Sequence, residues 1–195
     1  MRVLRPATVD EMVATFLLAE VASPRTGPPL LDALRDEGAD RTVVSQPDLT
    51  DSTANALRRR VLSAYRGFPD QGVFTAMPVE TTWHWVTLSP AELSAVRYLD
   101  WPYWTKFSGG SRLVIDGARR LGPWHQQPDG SIYRRIAEKL RAGVLPPPLV
   151  LVGRPGGRQL VVLEGHVRLT GLLMCPEALP DELQVLLGTA KTMDK

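Results

Sequence analysis

The segment with the clearest chemical content is Val161-Val162-Leu163-Glu164-Gly165-His166-Val167-Arg168, which runs from an apolar stretch through a tight turn into a helical pattern. A strand, a glycine turn and a helix in this order leave the first backbone N–H groups of the helix unpaired. The helix dipole adds partial positive charge there, and Gly165 lets an anion approach the backbone. His166 and Arg168 add donors and charge in the first turn. The pattern predicts a phosphate site at a helix N-terminus.

Two other segments could contribute to such a site. Ser108-Gly109-Gly110-Ser111-Arg112, with Lys106 beside it, is a candidate second anion-binding loop, although a Gly-Gly pair is also typical of a plain turn. All five tryptophans lie within residues 83–124. A cluster of this kind is typical of a packed seam, and the sharper interpretation is a wall on which a ring stacks. For the first segment too, a helix that only packs on its strand, with His166 and Arg168 on the surface, is as good an interpretation from residue types alone.

The elements that must position these residues follow from periodicity and breakers. Apolar spacing of three to four predicts a helix through Met12 and Val21, capped by Thr8 or Asp10, and another from Ser52 to Gly67. The run Arg58-Arg59-Arg60 in that second helix is expected on a solvated face. Strands are expected at residues 83–88, 112–115, 149–152, 160–163 and 183–187. Helices are expected from Ser89-Pro90, from Ser131 to Gly143 and from His166 to Met174.

Composition excludes several classes of protein. The chain has 195 residues, a net charge of +2 and one cysteine, so it has no intrachain disulfide and no multi-cysteine zinc site. Residues 1–100 carry 10 Lys/Arg against 13 Asp/Glu, and residues 101–195 carry 13 against 8, so an anionic ligand is expected in the second half. No apolar stretch is long enough to span a membrane, and the N-terminus is a poor signal peptide. We expect a reduced, cytoplasmic setting.

Residues 105–190 resemble the ParB/sulfiredoxin superfamily, whose members carry a strand, a helix, a strand pair and then a strand–turn–helix with a Gly-X-X-Arg signature. Gly165 to Arg168 match the signature, and the turn from Glu164 is similar to the Asp-Gly-His-His-Arg turn of free-serine kinases. The resemblance covers somewhat under half of the chain. It implies an α+β fold with a ParB/sulfiredoxin-like small mixed sheet and helices over residues 101–195, as the nucleotide-binding core, preceded by a mainly helical extension over residues 1–100.

The resemblance also implies a ligand, and with the segments described above it leads to a hypothesis about the roles of individual residues. In these families the turn holds nucleotide phosphates, so ATP or ADP is expected, with CTP as a further candidate, together with Mg²⁺. The phosphate-binding residues would be Gly165, His166, Arg168, Gly109, Gly110 and Arg112. The metal ligands would be Glu164 and Asp116. The catalytic residues would be Glu164 and a base, His125 or Asp129, from the loop before the helix at residue 131. The substrate site would be lined by Lys106, Trp104 and Trp124.

Three functions remain open at this stage. The first is a nucleotide-dependent kinase that phosphorylates a hydroxyl of a small metabolite or free amino acid. The second is a non-catalytic nucleotide- or ligand-binding module that acts through a protein partner. The third, a nuclease or DNA-binding protein, is disfavoured by the charge of +2 and by the lack of room for a helix-turn-helix after the motif. The expected partners are a nucleotide and a small-molecule substrate, with no membrane, nucleic acid disfavoured and a homodimer left open.

Overall fold

The computed structural model describes residues 1–121 and 131–193, and these form a mixed α+β structure. The strands are β1 (Arg2–Ala7), β2 (Thr82–Leu88), β3 (Val150–Arg154), β4 (Arg158–Glu164) and β5 (Leu183–Thr189). The helices are α1 (Val9–Val21), α2 (Gly27–Asp36), α3 (Thr42–Ser45), α4 (Ser52–Arg66), α5 (Pro90–Ser94), α6 (Pro102–Phe107), α7 (Val114–Arg120), α8 (Ser131–Arg141) and α9 (His166–Leu173). Within the described residues, 3₁₀ turns lie at Gly72–Phe74 and Pro176–Ala178. Among the described helices, none is long and apolar enough to cross a membrane.

The five strands form one mixed sheet in the order β1-β2-β5-β3-β4. β3 and β5 run parallel, and the other neighbouring pairs are antiparallel. The expected α+β class is therefore confirmed. β1 and β2 come from the first hundred residues, and β2 pairs directly with β5. One sheet therefore contains strands from both halves of the chain.

Helices cover both faces of this sheet. Alternate residues of the central strands point in opposite directions, as the two-residue period of a strand requires. Val150 and Val152 pack in a cluster with α1–α4 and the turn Gly72–Phe74, which we call the front layer. Leu151 and Val162 pack in a second cluster with α5–α9, which we call the back layer. Strands buried on both faces read as near-continuous apolar runs, and this is why β3 and β4 were visible in the sequence.

A short segment outside the named strands extends the sheet beside β4. The N–H of Arg97 donates to the carbonyl of Leu160 at 2.8 Å, and the carbonyl of Arg97 accepts from the N–H of Val162 at 2.9 Å. This bridge is parallel, with Arg97 opposite Val161. The segment after Arg97 and strand β4 therefore run to the same end of the sheet. As a result, Trp101 lies beside the turn at Gly165.

The structure confirms the predicted cap of α1 and differs from two predictions about strands. Thr8 caps α1 in a capping box with Glu11, as its position predicts. The strand expected at residues 112–115 is wrong, because helix α7 begins at Val114 and turns its apolar positions into the back layer. Arg112 itself has a left-handed φ of 61°, which ends any extended run there. β1 was not predicted, since it is an exposed edge strand without an apolar face.

Arg58 departs from the solvated face expected for its run. Its side chain is 1 % exposed, whereas Arg59 and Arg60 form ion pairs on the surface. The Arg58 guanidinium donates to the carbonyl of Val43 at 2.9 Å, to that of Asp48 at 2.7 Å, and to the side chain of Asn55. It therefore ties α4 to a carbonyl of α3 and to one of the loop that follows α3, and these bonds satisfy donors of a buried charged side chain.

We predict that Arg58→Met lowers the free energy of unfolding by about 3 kcal/mol, because it removes these donors and keeps most of the volume. Urea denaturation measures the change. Arg60→Met is the matched control and is expected to change stability by less than about 0.5 kcal/mol, since its ion pair is solvated. Equal losses in the two variants would contradict the role given to Arg58.

Candidate functional site

The site lies at the end of β4, where the chain turns into α9. Gly165 has a φ of 103°, a left-handed conformation that favours glycine. A Cβ atom at this position would lie 2.5 Å from Leu149 Cδ2 and 3.1 Å from Arg168 Nη2, so the turn also excludes a side chain on steric grounds. The strand–turn–helix predicted from the sequence is present, and Gly165 offers the start of α9 no side-chain cap.

Arg168 is held inside the protein. Its Nη1 donates to the carbonyls of Pro147 at 2.6 Å and Pro148 at 2.9 Å, and its Nη2 forms an ion pair with the Glu164 carboxylate. Burial lowers the pKa of Arg168 to about 10, so the guanidinium is still charged at neutral pH. The two groups that the sequence offered for phosphate and Mg²⁺ thus neutralise each other and fix the turn to the connection before β3.

His166 lies in a stack of aromatic rings. Its ring centroid is 5.0 Å from that of Trp104 and 6.4 Å from that of Trp101, with interplanar angles of 14° and 10°. Tyr98 stacks on the Trp104 ring at 4.6 Å and 11°. Trp104 and Tyr98 are buried in the back layer, whereas Trp101 is 42 % exposed. The stack therefore connects the turn to an indole on the surface.

The His166 ring is neutral and has an unused polar atom. Burial, together with the positive charges of Arg25 and Arg66, lowers the pKa of His166 to about 3. Its Nε2 is buried, and no described residue forms a hydrogen bond with it. Buried polar atoms of this kind are uncommon in proteins and mark places where water or a ligand belongs.

The front layer brings charged groups to the turn. Glu20 is 7 % exposed, and its two carboxylate oxygens accept from Arg66 Nη2 at 2.9 and 2.8 Å. The Tyr65 hydroxyl also donates to Glu20 at 2.7 Å. Arg25 is exposed, and no described residue forms an ion pair with it. Since Arg66 is neutralised by Glu20, Arg25 leaves this face of the turn with net positive charge.

A pocket of about 390 Å³ lies next to the exposed indole. Its walls come from both sides of the sheet end and are formed by Gly72, Val73, Thr75, Leu99, Asp100, Trp101 and Arg112. Arg112 is fixed there, because its Nε and Nη2 donate to the carbonyl of Tyr98 at 3.2 and 2.9 Å. Its Nη1 lies 3.3 Å from a carboxylate oxygen of Asp100. Of the predicted phosphate-binding residues, Arg112 is the one that lines this pocket.

The predicted second anion-binding loop, Ser108 to Arg112, forms the end of helix α6. The N–H of Gly109 donates to the carbonyl of Lys106 at 3.1 Å, and that of Gly110 donates to the carbonyl of Thr105 at 2.8 Å. These bonds close the C-terminal end of α6, so neither N–H is available to an anion. The Lys106 side chain is exposed and does not line the pocket. Trp104 lies behind His166 in the stack rather than in the pocket wall.

The predicted metal ligands do not form a metal site. Glu164 is engaged by Arg168, and Asp116 lies 3.4 Å from Arg119 on the surface of α7. Throughout residues 1–121 and 131–193, no group of three or more His, Cys, Asp or Glu side chains could hold a metal ion. His125, Asp129 and Trp124 lie outside the described residues.

Several residues of the site were not predicted from the sequence. Asp100, Trp101, Arg25, Arg66 and the turn Gly72–Phe74 reach it only through the layered arrangement of the fold. The signal available in the sequence was the aromatic density around Trp101, which indicated a stacking wall but not its position. Comparison with protein-family models, with curated proteins and with solved structures finds no match to this chain.

We predict that Arg168→Met lowers the free energy of unfolding by about 3 kcal/mol, because Glu164 and two carbonyls are left buried without a partner. The double variant Glu164→Gln/Arg168→Met should recover part of that loss, which chemical denaturation can measure. Arg135→Met, an exposed position on α8, serves as the control. An unchanged stability in Arg168→Met would mean that the guanidinium is free to bind a ligand instead.

A second prediction concerns acid stability. Below its ordinary pKa, His166 binds a proton in the unfolded chain but not in the folded one, so the folded state loses stability as the pH falls. Between about pH 7 and pH 5 the wild-type protein should lose about 2 kcal/mol more than His166→Phe, which keeps the ring stack. Urea denaturation at both pH values measures this difference. Parallel losses in the two proteins would show that His166 is protonated in the folded state.

Proposed function

We propose that this protein binds a nucleotide, with ATP, ADP and CTP as the candidates, in the pocket between the front layer and Trp101. The observation that carries the proposal is the exposed indole of Trp101, which ends the ring stack in the pocket wall. A nucleobase stacks on such an aromatic face with about 1–3 kcal/mol of binding free energy. The volume of about 390 Å³ lies within the range of small-molecule pockets.

The phosphates of this ligand would lie toward the start of α9. The unpaired N–H groups of the first turn and the helix dipole attract an anion there. Arg25 adds charge, and the buried Nε2 of His166 gains a partner if its ring donates from that atom. Arg112, at the pocket wall, supplies a further cation near the base or ribose. Arg168 positions the turn in this proposal and does not contact the ligand.

Binding without phosphoryl transfer is the form of the proposal that these contacts favour. Transfer needs a group that accepts the proton of the substrate hydroxyl, and the Glu164 carboxylate is held by Arg168. The other two candidates, His125 and Asp129, lie outside the described residues. The second function proposed from the sequence, a nucleotide-binding module that acts through a protein partner, is the one that the described contacts support, and the kinase requires His125 or Asp129 as its base.

The proposal includes the ParB/sulfiredoxin-like character of the second half. Support comes from the order of elements, in which α8 is followed by the pair β3 and β4 and then by α9. The departures are helix α7 in place of the expected strand and the two added strands β1 and β2. A likeness of element order supports a fold and does not by itself carry a function.

We predict that the purified protein binds at least one of ATP, ADP and CTP, and that Trp101→Ala weakens this binding at least tenfold because the stacking surface is removed. Calorimetry gives the affinity, and quenching of tryptophan fluorescence reports the stacking. Tyr103→Ala is the matched control, since Tyr103 is also exposed but does not line the pocket. A failure of all three nucleotides to bind, or an equal effect of both substitutions, would contradict the proposal.

A further inference from the structure

Asp100 is an acidic side chain in the wall of a pocket proposed to bind an anion. It precedes Trp101 in the chain, and both residues line the same pocket. The side chain is 71 % exposed in its ion pair with Arg112. Among the described residues, its other side-chain contact is a long one, in which the Thr105 hydroxyl donates to Oδ1 at 3.5 Å. The carboxylate, which lines the pocket, thus retains unused acceptor lone pairs.

The position of this carboxylate is set by its neighbours. Arg112 is anchored to the carbonyl of Tyr98 and approaches Asp100 through Nη1, which leaves Oδ1 toward the Thr105 side. The same cation offsets the negative charge of Asp100, so the carboxylate does not by itself repel a nucleotide from the pocket. The Asp100 carboxylate is therefore a hydrogen-bond acceptor with a fixed direction, close to where a base would stack on Trp101.

An ionised carboxylate accepts hydrogen bonds and cannot donate them. A base stacked on Trp101 presents its edge groups in the plane of the ring, which is where a side chain next to the indole can meet them. Cytosine and adenine carry an exocyclic amino group that donates, and carboxylates accept from such groups in known base recognition. Uracil and hypoxanthine carry a carbonyl oxygen at the same ring position, and two acceptors facing each other are unfavourable.

We propose that Asp100 makes the pocket selective for bases with an exocyclic amino group, cytosine and adenine, over uracil and hypoxanthine. The proposal rests on the proposed function, because it assigns the base specificity of that same pocket. Arg112 is the positioning residue for the carboxylate, and Trp101 supplies the affinity that both kinds of base share.

The experiment compares two pairs of nucleotides that differ at this ring position, CTP with UTP and ATP with ITP. Calorimetric titration of the wild-type protein should give affinities about tenfold higher for CTP than for UTP and for ATP than for ITP, a typical value for one good base contact. In Asp100→Asn the difference should fall to about twofold, because the amide can donate as well as accept. Asp70→Asn, an exposed acidic residue outside the pocket wall, is the charge-matched control. Thermal melting of both variants checks that they fold.

The outcomes separate this inference from the proposed function. Equal binding of CTP and UTP and of ATP and ITP by the wild-type protein would overturn the role of Asp100 and leave nucleotide binding in place. A preference that persists in Asp100→Asn would also overturn it. If dCTP and CTP differ in the wild-type protein and not in Asp100→Asn, while the base preference is unchanged, the carboxylate contacts the ribose and the proposal is wrong. If none of these nucleotides binds, the proposed function fails and the inference fails with it.

Discussion

The site depends on one buried ion pair. The guanidinium of Arg168 forms an ion pair with Glu164 at the end of β4 and donates hydrogen bonds to two proline carbonyls before β3. A single side chain therefore ties together the strand pair, the turn and the first turn of α9. Burying such a pair in a low-dielectric interior costs solvation free energy, and the hydrogen bonds from Arg168 Nη1 to the carbonyls of Pro147 and Pro148 offset part of that cost. Glu164 and Arg168, which the sequence suggested as ligand-binding residues, therefore stabilise the turn instead.

With the turn fixed, the layered fold decides what surrounds it. The parallel bridge between Arg97 and Val161 carries the chain to the same end of the sheet as Gly165, and Trp101 arrives beside His166. On the other face of the sheet, the front layer contributes the positive charges of Arg25 and Arg66, which act on His166. The pocket beside Trp101 is therefore lined by elements far apart in sequence, the turn Gly72–Phe74 of the front layer and the segments around Trp101 and Arg112, and neither set could form it alone.

Structural features that depend on residues close together in the chain could be predicted from the sequence. The capping box at Thr8, the apolar runs of β3 and β4 and the left-handed glycine at residue 165 follow from neighbours within a few positions. The burial of single charged residues cannot be predicted from neighbouring positions, because it depends on the elements that pack against them in the fold. Arg58 and Arg168 look like surface or ligand-binding arginines by type, and only the carbonyls that they meet after folding assign them to the interior. The strand expected at residues 112–115 failed for a related reason, since the helical packing of α7 outweighed a short apolar run.

The central claim is that a nucleotide binds in the pocket between the front layer and Trp101, with its phosphates toward the start of α9. The most direct measurement is a titration of ¹⁵N-labelled protein with ATP, ADP and CTP, followed by the shifts of backbone amide and indole N–H signals. Binding at this place should move the indole signal of Trp101 and the amide signals of Gly165, His166 and Gly72–Phe74, and leave those of β1 and α8 unchanged. Shifts that concentrate away from the end of β4, or spectra that do not change with any of the three nucleotides, would contradict the account.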